Sequence, residues 1–186
     1  RARGVRLVTL EGENTRPTSE RAKEAIFSSL GDFVVGCRVL DLFAGTGQLG
    51  IEALSRGARS AVFVDAGAPA VKLVKENLKK TKLDSAARVM QSDYAAFLRA
   101  CKEKFDIIFL DPPYDTQLLK NSLKTVAEID ILSQNGIIVC ESRADTELPE
   151  LDAPYERKGE YRYGSIKLTL YTKRGKVFDE DSNIPG

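Results

Sequence analysis

Arg38-Val39-Leu40-Asp41-Leu42-Phe43 runs into Ala44-Gly45-Thr46-Gly47, and Gln48-Leu49-Gly50-Ile51-Glu52-Ala53-Leu54 follows at once. The first segment predicts a buried strand, the glycines a tight turn, and the last segment a helix. Working outward, Ala61-Val62-Phe63-Val64-Asp65 predicts a second buried strand. Val71, Val74 and Leu78 then mark the inward stripe of a helix whose Lys72, Lys75 and Lys79 face out. Arg88-Val89-Met90 predicts a third strand before Ser92-Asp93, and Phe105-Asp106-Ile107-Ile108-Phe109-Leu110 a fourth. Leu119, Leu123 and Val126 mark another helix, and residues 136–141 a fifth strand. Upstream, a helix is expected over residues 19–30, with Thr18 as N-cap and Ala22, Ile26 and Leu30 on one face. Downstream, residues 155–161 and 165–171 are expected to pair around Arg162-Tyr163-Gly164. Strands alternating with helices, several continuously apolar, give an α/β fold with a mostly parallel sheet covered on both faces.

In such a sheet, ligands bind at the carboxyl ends of the strands. Asp41, Asp65, Asp93 and Asp111 all stand at or just past predicted strand ends, which places four carboxylates on one rim. Gly45-Thr46-Gly47-Gln48-Leu49-Gly50 matches G-x-G-x-x-G between a strand and a helix, with Asp65 about twenty residues from the turn. This pattern suits adenosine cofactors in general, so a nicotinamide-dependent oxidoreductase competes with an S-adenosylmethionine enzyme. A plain strand-to-helix turn without ligand is the bland alternative. Asp41 favours S-adenosylmethionine, because a carboxylate there attracts an ammonium and a sulfonium but repels a pyrophosphate.

Composition narrows the chemistry. The 186 residues suit one domain, with 42% hydrophobic and 30% charged residues and a net charge of +1. We expect that domain over residues 1–174, with a basic segment at 1–17 and a polar, mobile tail at 175–186. No apolar run approaches the roughly 20 residues that span a bilayer, and the expectation is a cytoplasmic protein. Cys37, Cys101 and Cys140 lack paired spacing, and Cys37 and Cys140 read as core residues of a chain in a reducing compartment. Histidine is absent, which removes His-based triads, imidazole acid–base chemistry and zinc sites with His ligands. Among residues 1–30, six Arg and Lys residues face four glutamates, a basic edge able to meet phosphates or simply water.

The segment Asp111-Pro112-Pro113-Tyr114 follows the fourth strand directly. Its prolines fix φ and remove two N–H donors, giving a rigid exit. The bland reading is a stiff turn with Asp111 in an Asx-type hydrogen bond. The chemical reading is an acceptor site for an amino group. An exocyclic amine on a base is a poor nucleophile, since its lone pair is delocalised into the ring. The Asp111 carboxylate and the Pro112 carbonyl can accept its N–H bonds and aim the lone pair at a methyl donor, while Tyr114 stacks on the base.

These residues together resemble the class I methyltransferases, and within them the RsmD-like enzymes that methylate guanine N2 in bacterial small-subunit (16S) ribosomal RNA. The resemblance covers nearly the whole chain. It includes Arg16-Pro17-Thr18, the turn after Asp41, Ala53-Leu54-Ser55-Arg56-Gly57-Ala58, Asp111-Pro112-Pro113-Tyr114 and Tyr163-Gly164. It implies a Rossmann-like, seven-stranded sheet with one antiparallel strand, and S-adenosyl-L-methionine as cofactor. It implies cofactor contacts from Asp41, Phe43, Ala44, Gly45, Thr46 and Gly47, with Asp41 and the glycines at the methionine moiety. Asp65 would hold the ribose diol with Ala66 beside it, and Asp93 and Tyr94 would flank the adenine. Thr18 would lie over the cofactor, Arg16 and Tyr114 would bind the target base, and Asp111, Pro112, Pro113 and Tyr114 would be catalytic. The implied partner is ribosomal RNA or an assembling small subunit, met by a monomer without metal or membrane.

Three features depart from the family pattern: Asp65 replaces a common Glu, Ala66-Gly67-Ala68 is unusually small, and Ser165 follows Tyr163-Gly164 in place of an acidic residue. Adenine-N6 or protein-amide methylation uses the same Pro-Pro-aromatic device. A non-catalytic RNA-binding module of the same fold is a further alternative. Asp93 also suits a helix cap, and Tyr155, Tyr161 and Tyr163 suit either strand packing or an RNA-facing surface.

Overall fold

The computed structural model describes residues 20–113 and 116–173. Thr18, Arg16, Tyr114 and the 175–186 tail lie outside the described residues. The first described helix, α1 (Glu20–Leu30), buries Ala22, Ile26, Phe27 and Leu30, the expected stripe widened by one aromatic. There follow β1 (Arg38–Asp41), α2 (Gln48–Ser55), β2 (Ser60–Asp65), α3 (Ala68–Thr81) and β3 (Ala87–Gln91). The second half holds α4 (Tyr94–Ala100), β4 (Phe105–Leu110), α5 (Thr116–Ile129), β5 (Leu132–Arg143), β6 (Tyr155–Tyr163) and β7 (Ile166–Lys173).

These strands form one sheet in the order β3-β2-β1-β4-β5-β7-β6. The strands from β1 to β5 run parallel, and β7 is antiparallel to both β5 and β6. One strand of the seven is therefore reversed, as the family resemblance implied. The chain winds outward from β1 to β3, then crosses back to β4 on the other side of β1. The crevice beyond the ends of β1 and β4 is thus the topological switch point, where an open α/β sheet binds ligands.

Alternating residues of the strands serve two cores. Val39, Phe63, Ile107, Phe109 and Val139 pack with α1, α2 and α3. Leu40, Val62, Ile108, Leu110 and Cys140 pack with α4 and α5. The pleat fixes where polar residues point at the strand ends. Asp41 is in register with Phe63 and Phe109, so it opens on the α1–α3 face. Asp111, two residues past Phe109, continues the same face.

Several boundaries differ from expectation. The strand through Asp41 ends there, because Leu42 and Phe43 already belong to the turn. The fifth strand begins earlier, at Leu132, and its pairing with β4 shifts register between Phe105 and Ile107. Asn135, at φ +66°, sits in that irregular stretch and hides it from an apolar pattern. The terminal hairpin turns at Gly164-Ser165 with Gly164 at φ +62°, so Arg162 and Tyr163 belong to the strand.

Candidate active site at the carboxyl ends of β1, β2 and β4

The glycine turn is built by three different constraints. Gly47 adopts φ +84° and caps α2 without a side chain. Gly45 adopts φ +58°, and a Cβ on it would meet nothing within 4 Å, so its backbone faces open space at the rim. Gly50 lies against the sheet, where a Cβ would come within 2.3 Å of Phe63 Cε2. One glycine thus shapes the turn, one opens it toward a ligand, and one lets α2 pack on β2. Those are the separate demands of an adenosine-cofactor turn.

Two carboxylates hold this turn. Asp65 accepts from the Gly45 N–H at 2.9 Å and from the Gly67 N–H at 2.9 Å, tying the turn after β1 to the turn after β2. Each oxygen keeps a further lone pair for a ligand hydroxyl. The small segment Ala66-Gly67-Ala68 therefore contributes a backbone donor that orients Asp65. Asp41 accepts from the Gly50 N–H at 3.1 Å and so satisfies one of the orphan donors at the start of α2. Burial pushes the Asp41 carboxyl up to about 7; the Gly50 hydrogen bond opposes this, and the charges of Asp111 and Asp65 add to it.

At the start of α4, the Phe43 and Tyr94 rings lie 5.7 Å apart at 49°. Asp93 accepts from the Ala96 N–H at 2.8 Å and caps α4. The cap reading is therefore correct, and the second oxygen leaves room for a ligand as well. Ala44 N–H donates to Val64 O at 2.9 Å, and Ser92 N–H to Asp65 O at 3.0 Å, so neighbouring loops share one hydrogen-bonded rim. Pro112 is buried, Asp111 half-buried and Pro113 exposed, as a rigid exit from β4 at the crevice requires.

The sequence reading missed Asn77. It is fully buried on α3, and its Nδ2 donates to the Thr46 carbonyl at 3.0 Å. The signal was present: Asn77 interrupts the apolar stripe of Val74, Leu78 and Thr81 at a position that buries nothing apolar. Asn77→Leu is expected to destabilise the protein by roughly 1–3 kcal/mol, since it leaves a buried carbonyl without that donor. Urea unfolding measures this, and an unchanged midpoint would show that the carbonyl needs no such partner.

Tyr155 proves to be a packing residue: it is buried, and its hydroxyl donates to Asp130 at 2.6 Å. Tyr161 is exposed and Tyr163 half-buried on the edge strand. At the opposite, amino ends of the strands, an open cleft of about 410 Å³ is lined by Glu128, Asp130, Glu150 and Asp152 around Lys124. Its carboxylates disfavour a phosphate backbone at that end of the sheet. Among the described residues no His, Cys, Asp and Glu grouping could hold a metal, and no helix is long and apolar enough to cross a membrane.

The strand order, the reversed β7 and the acidic rim at the switch point define a Rossmann-like class I methyltransferase fold. The chain belongs to the RsmD-like family described as "Conserved hypothetical protein 95", which matches residues 1–172. It is 42% identical over 176 residues to the Bacillus subtilis (strain 168) protein named "Putative rRNA methyltransferase YlbH", covering 93% of this chain and 96% of that one. It is 30% identical to "Ribosomal RNA small subunit methyltransferase D" of Escherichia coli (strain K12), over 94% of this chain and 87% of the relative. Among solved structures, the Escherichia coli protein described as "Putative methyltransferase yhhF" superposes with a TM-score of 0.81 at 30% identity. That superposition covers 91% of this chain and 92% of the other.

Proposed function

We propose that this protein transfers a methyl group from S-adenosylmethionine to the exocyclic N2 amine of a guanine in small-subunit ribosomal RNA, acting in the cytoplasm as a single domain. The methyl donor is S-adenosylmethionine. The observation that carries the chemistry is the placement of Asp41 and Asp111 on one face of the sheet at its switch point. A dinucleotide pyrophosphate needs the N–H groups at the start of the helix after the turn. Here Asp41 already accepts one of them, and its charge would repel phosphate. The site therefore suits a cationic cofactor and disfavours the nicotinamide alternative.

When bound, S-adenosylmethionine supplies an electrophilic methyl group on a positively charged sulfonium. The residues of the chain do the rest. Gly45 gives close backbone approach, Gly47 shapes the turn that presents it, Asp65 takes the ribose hydroxyls, and Phe43 and Tyr94 border the adenine. Asp41 faces the positive end of the methionine moiety. Asp111 and the Pro112 carbonyl accept the two N–H bonds of the target amine and aim its lone pair, with Tyr114 and Arg16 on the base and Thr18 over the cofactor. Positioning and fixed charge supply the catalysis, in keeping with a chain that has no histidine. Small-subunit ribosomal RNA as substrate is supported by relatives named for it, and guanine as acceptor by the resemblance carried by Arg16-Pro17-Thr18 and Asp111-Pro112-Pro113-Tyr114.

Asp65→Ala removes the acceptor for Gly45, Gly67 and the ribose together. The Kd for S-adenosylmethionine is expected to rise roughly 10–100-fold, the loss of one or two hydrogen bonds to a charged group. Calorimetric titration measures it, and an affinity close to that of the parent would remove Asp65 from the site. The function itself is tested by transfer of a labelled methyl group to unmodified small-subunit RNA, free or assembled with protein. Label found only on protein, or on neither, would overturn the assignment.

A further inference from the structure

Glu141 has no part in the methyl-transfer reading, yet it stands next to the residue that carries it. Cys140 of β5 is in parallel register with Leu110 of β4, so Glu141 follows Cys140 as Asp111 follows Leu110. Neighbouring strands lie about 4.8 Å apart, which makes the two carboxylate residues neighbours at the carboxyl ends. They also share a face. Val139, two residues before Glu141, packs with α1, α2 and α3, and so does Leu168 of β7, the direct partner of Glu141. Asp65, Asp41, Asp111 and Glu141 therefore form a row on one face, from β2 through β1 and β4 to β5. β4 ends at Leu110, whereas β5 runs on to Arg143 against β7, so Glu141 flanks the crevice beyond β4. It is only 2% exposed, and a carboxylate is costly at such a position unless N–H donors meet it.

In that row Glu141 lies on the far side of Asp111 from Asp41 and Asp65, so it addresses the acceptor and not the cofactor. A guanine presents three N–H bonds side by side on one edge, two on N2 and one on N1. Asp111 and the Pro112 carbonyl account for the first two, and the N1–H needs a third acceptor beside them. A base taken out of its stack is read through such hydrogen bonds to its Watson–Crick edge. The exocyclic amines of adenine and cytosine are flanked instead by ring nitrogens that carry a lone pair and no proton, which a carboxylate repels. We propose that Glu141 sets the choice of base: its carboxylate accepts the N1–H of the target guanine and rejects adenine and cytosine. This rests on the amino-group reading above and adds a specificity residue to it. A carboxylate has two oxygens with roughly four acceptor positions, so contacts within the chain leave room for this one.

The base analogue 2-aminopurine keeps the amine at C2 but has neither the N1–H nor O6, and it separates this role from a structural one. Small-subunit RNA is prepared with guanine or 2-aminopurine at the methylated position, and transfer to each is measured with the full chain. The parent protein is expected to lose roughly 10–100-fold in kcat/KM on the analogue, the loss of one hydrogen bond to a charged group. Glu141→Gln can turn an amide N–H toward the bare N1. It should lose a comparable factor on guanine and bring the two bases within about threefold of each other. Its Kd for S-adenosylmethionine should stay within about threefold of the parent value. A merely structural role would lower transfer to both bases alike and leave their ratio unchanged. Equal parent turnover on the two bases, or an unchanged ratio in Glu141→Gln, overturns the inference alone. Should that variant fail to fold, the parent ratio still decides. Transfer that leaves guanine unmodified overturns the substrate reading and this inference with it.

Discussion

Asp111→Ala is expected to bind S-adenosylmethionine within about threefold of the parent affinity while losing roughly 10²–10³-fold in kcat, the cost of removing one fixed group from a preorganised site. The split follows from position. Asp65, the glycine turn and the Phe43–Tyr94 pair occupy the ends of β1 to β3 and the start of α4, whereas Asp111 stands beyond β4 on the other side of the crevice. The hydrogen bonds of Asp65 to Gly45 and Gly67, and of Asp41 to Gly50, do not involve its side chain. In the proposed function its removal takes away the charged acceptor that orients the amine, so the loss is expected on the chemical step. Binding assays and single-turnover transfer measure the two halves separately. Near-normal turnover would show that Asp111 is only a strand terminator; loss of cofactor binding would show that it belongs to the turn.

Gly50→Ala carries the largest structural cost. The added methyl would sit 2.3 Å from Phe63 Cε2 and 2.7 Å from Cζ, and Phe63 is fully buried between α2 and the sheet. An aromatic ring with no free space cannot give way as a flexible chain end would, so α2 must move. Overpacking of this kind costs about 3 kcal/mol, which lowers Tm by roughly 6–12 °C in a chain of this size. Movement of α2 also pulls the Gly50 N–H from Asp41, so cofactor affinity should fall too. Gly45→Ala is the useful contrast. No atom lies within 4 Å of its Cβ position, and its φ of +58° costs an alanine roughly 1–2 kcal/mol. It should therefore affect binding more than stability, because the methyl enters the space left for a ligand. Equal effects of the two changes on Tm would contradict the separate roles given to these glycines.

The parts of the fold legible in the sequence were those governed by local pattern. The strand–turn–helix at Asp41, the fourth strand and the inward stripes of α3 and α5 follow from apolar periodicity, and the structure buries Val74, Leu78, Leu119, Leu123 and Val126 accordingly. Parallel β-strands also made the carboxylate rim readable, since residues just past their ends converge whatever their separation along the chain. What escaped reading depends on tertiary pairing. The start of β5 lies under Ser133, Gln134 and Asn135, whose polarity reflects a register shift against β4. Lys167 and Lys173 are buried in β7; Lys167 donates to the Thr146 carbonyl, and Lys173 reaches Asp130 at 2.8 Å. Nothing in an Ile-Lys-Leu-Thr pattern announces either partner. Within the site, Asp65 was read as a ligand residue, yet its bonds to Gly45 and Gly67 make it a structural clasp as well. Asn77 is marked by the polar break in the α3 stripe, but its partner, a backbone carbonyl 31 residues away, is not.

The identity of the methylated atom tests the central claim most directly. Small-subunit RNA carrying no prior modification is incubated with the protein and S-adenosylmethionine, digested to nucleosides and analysed by mass against standards. The expected product is N2-methylguanosine, formed by the parent protein and sharply reduced with Asp111→Ala. N6-methyladenosine in its place would keep the chemistry and overturn the substrate, whereas RNA without any new methyl group would contradict the assignment altogether.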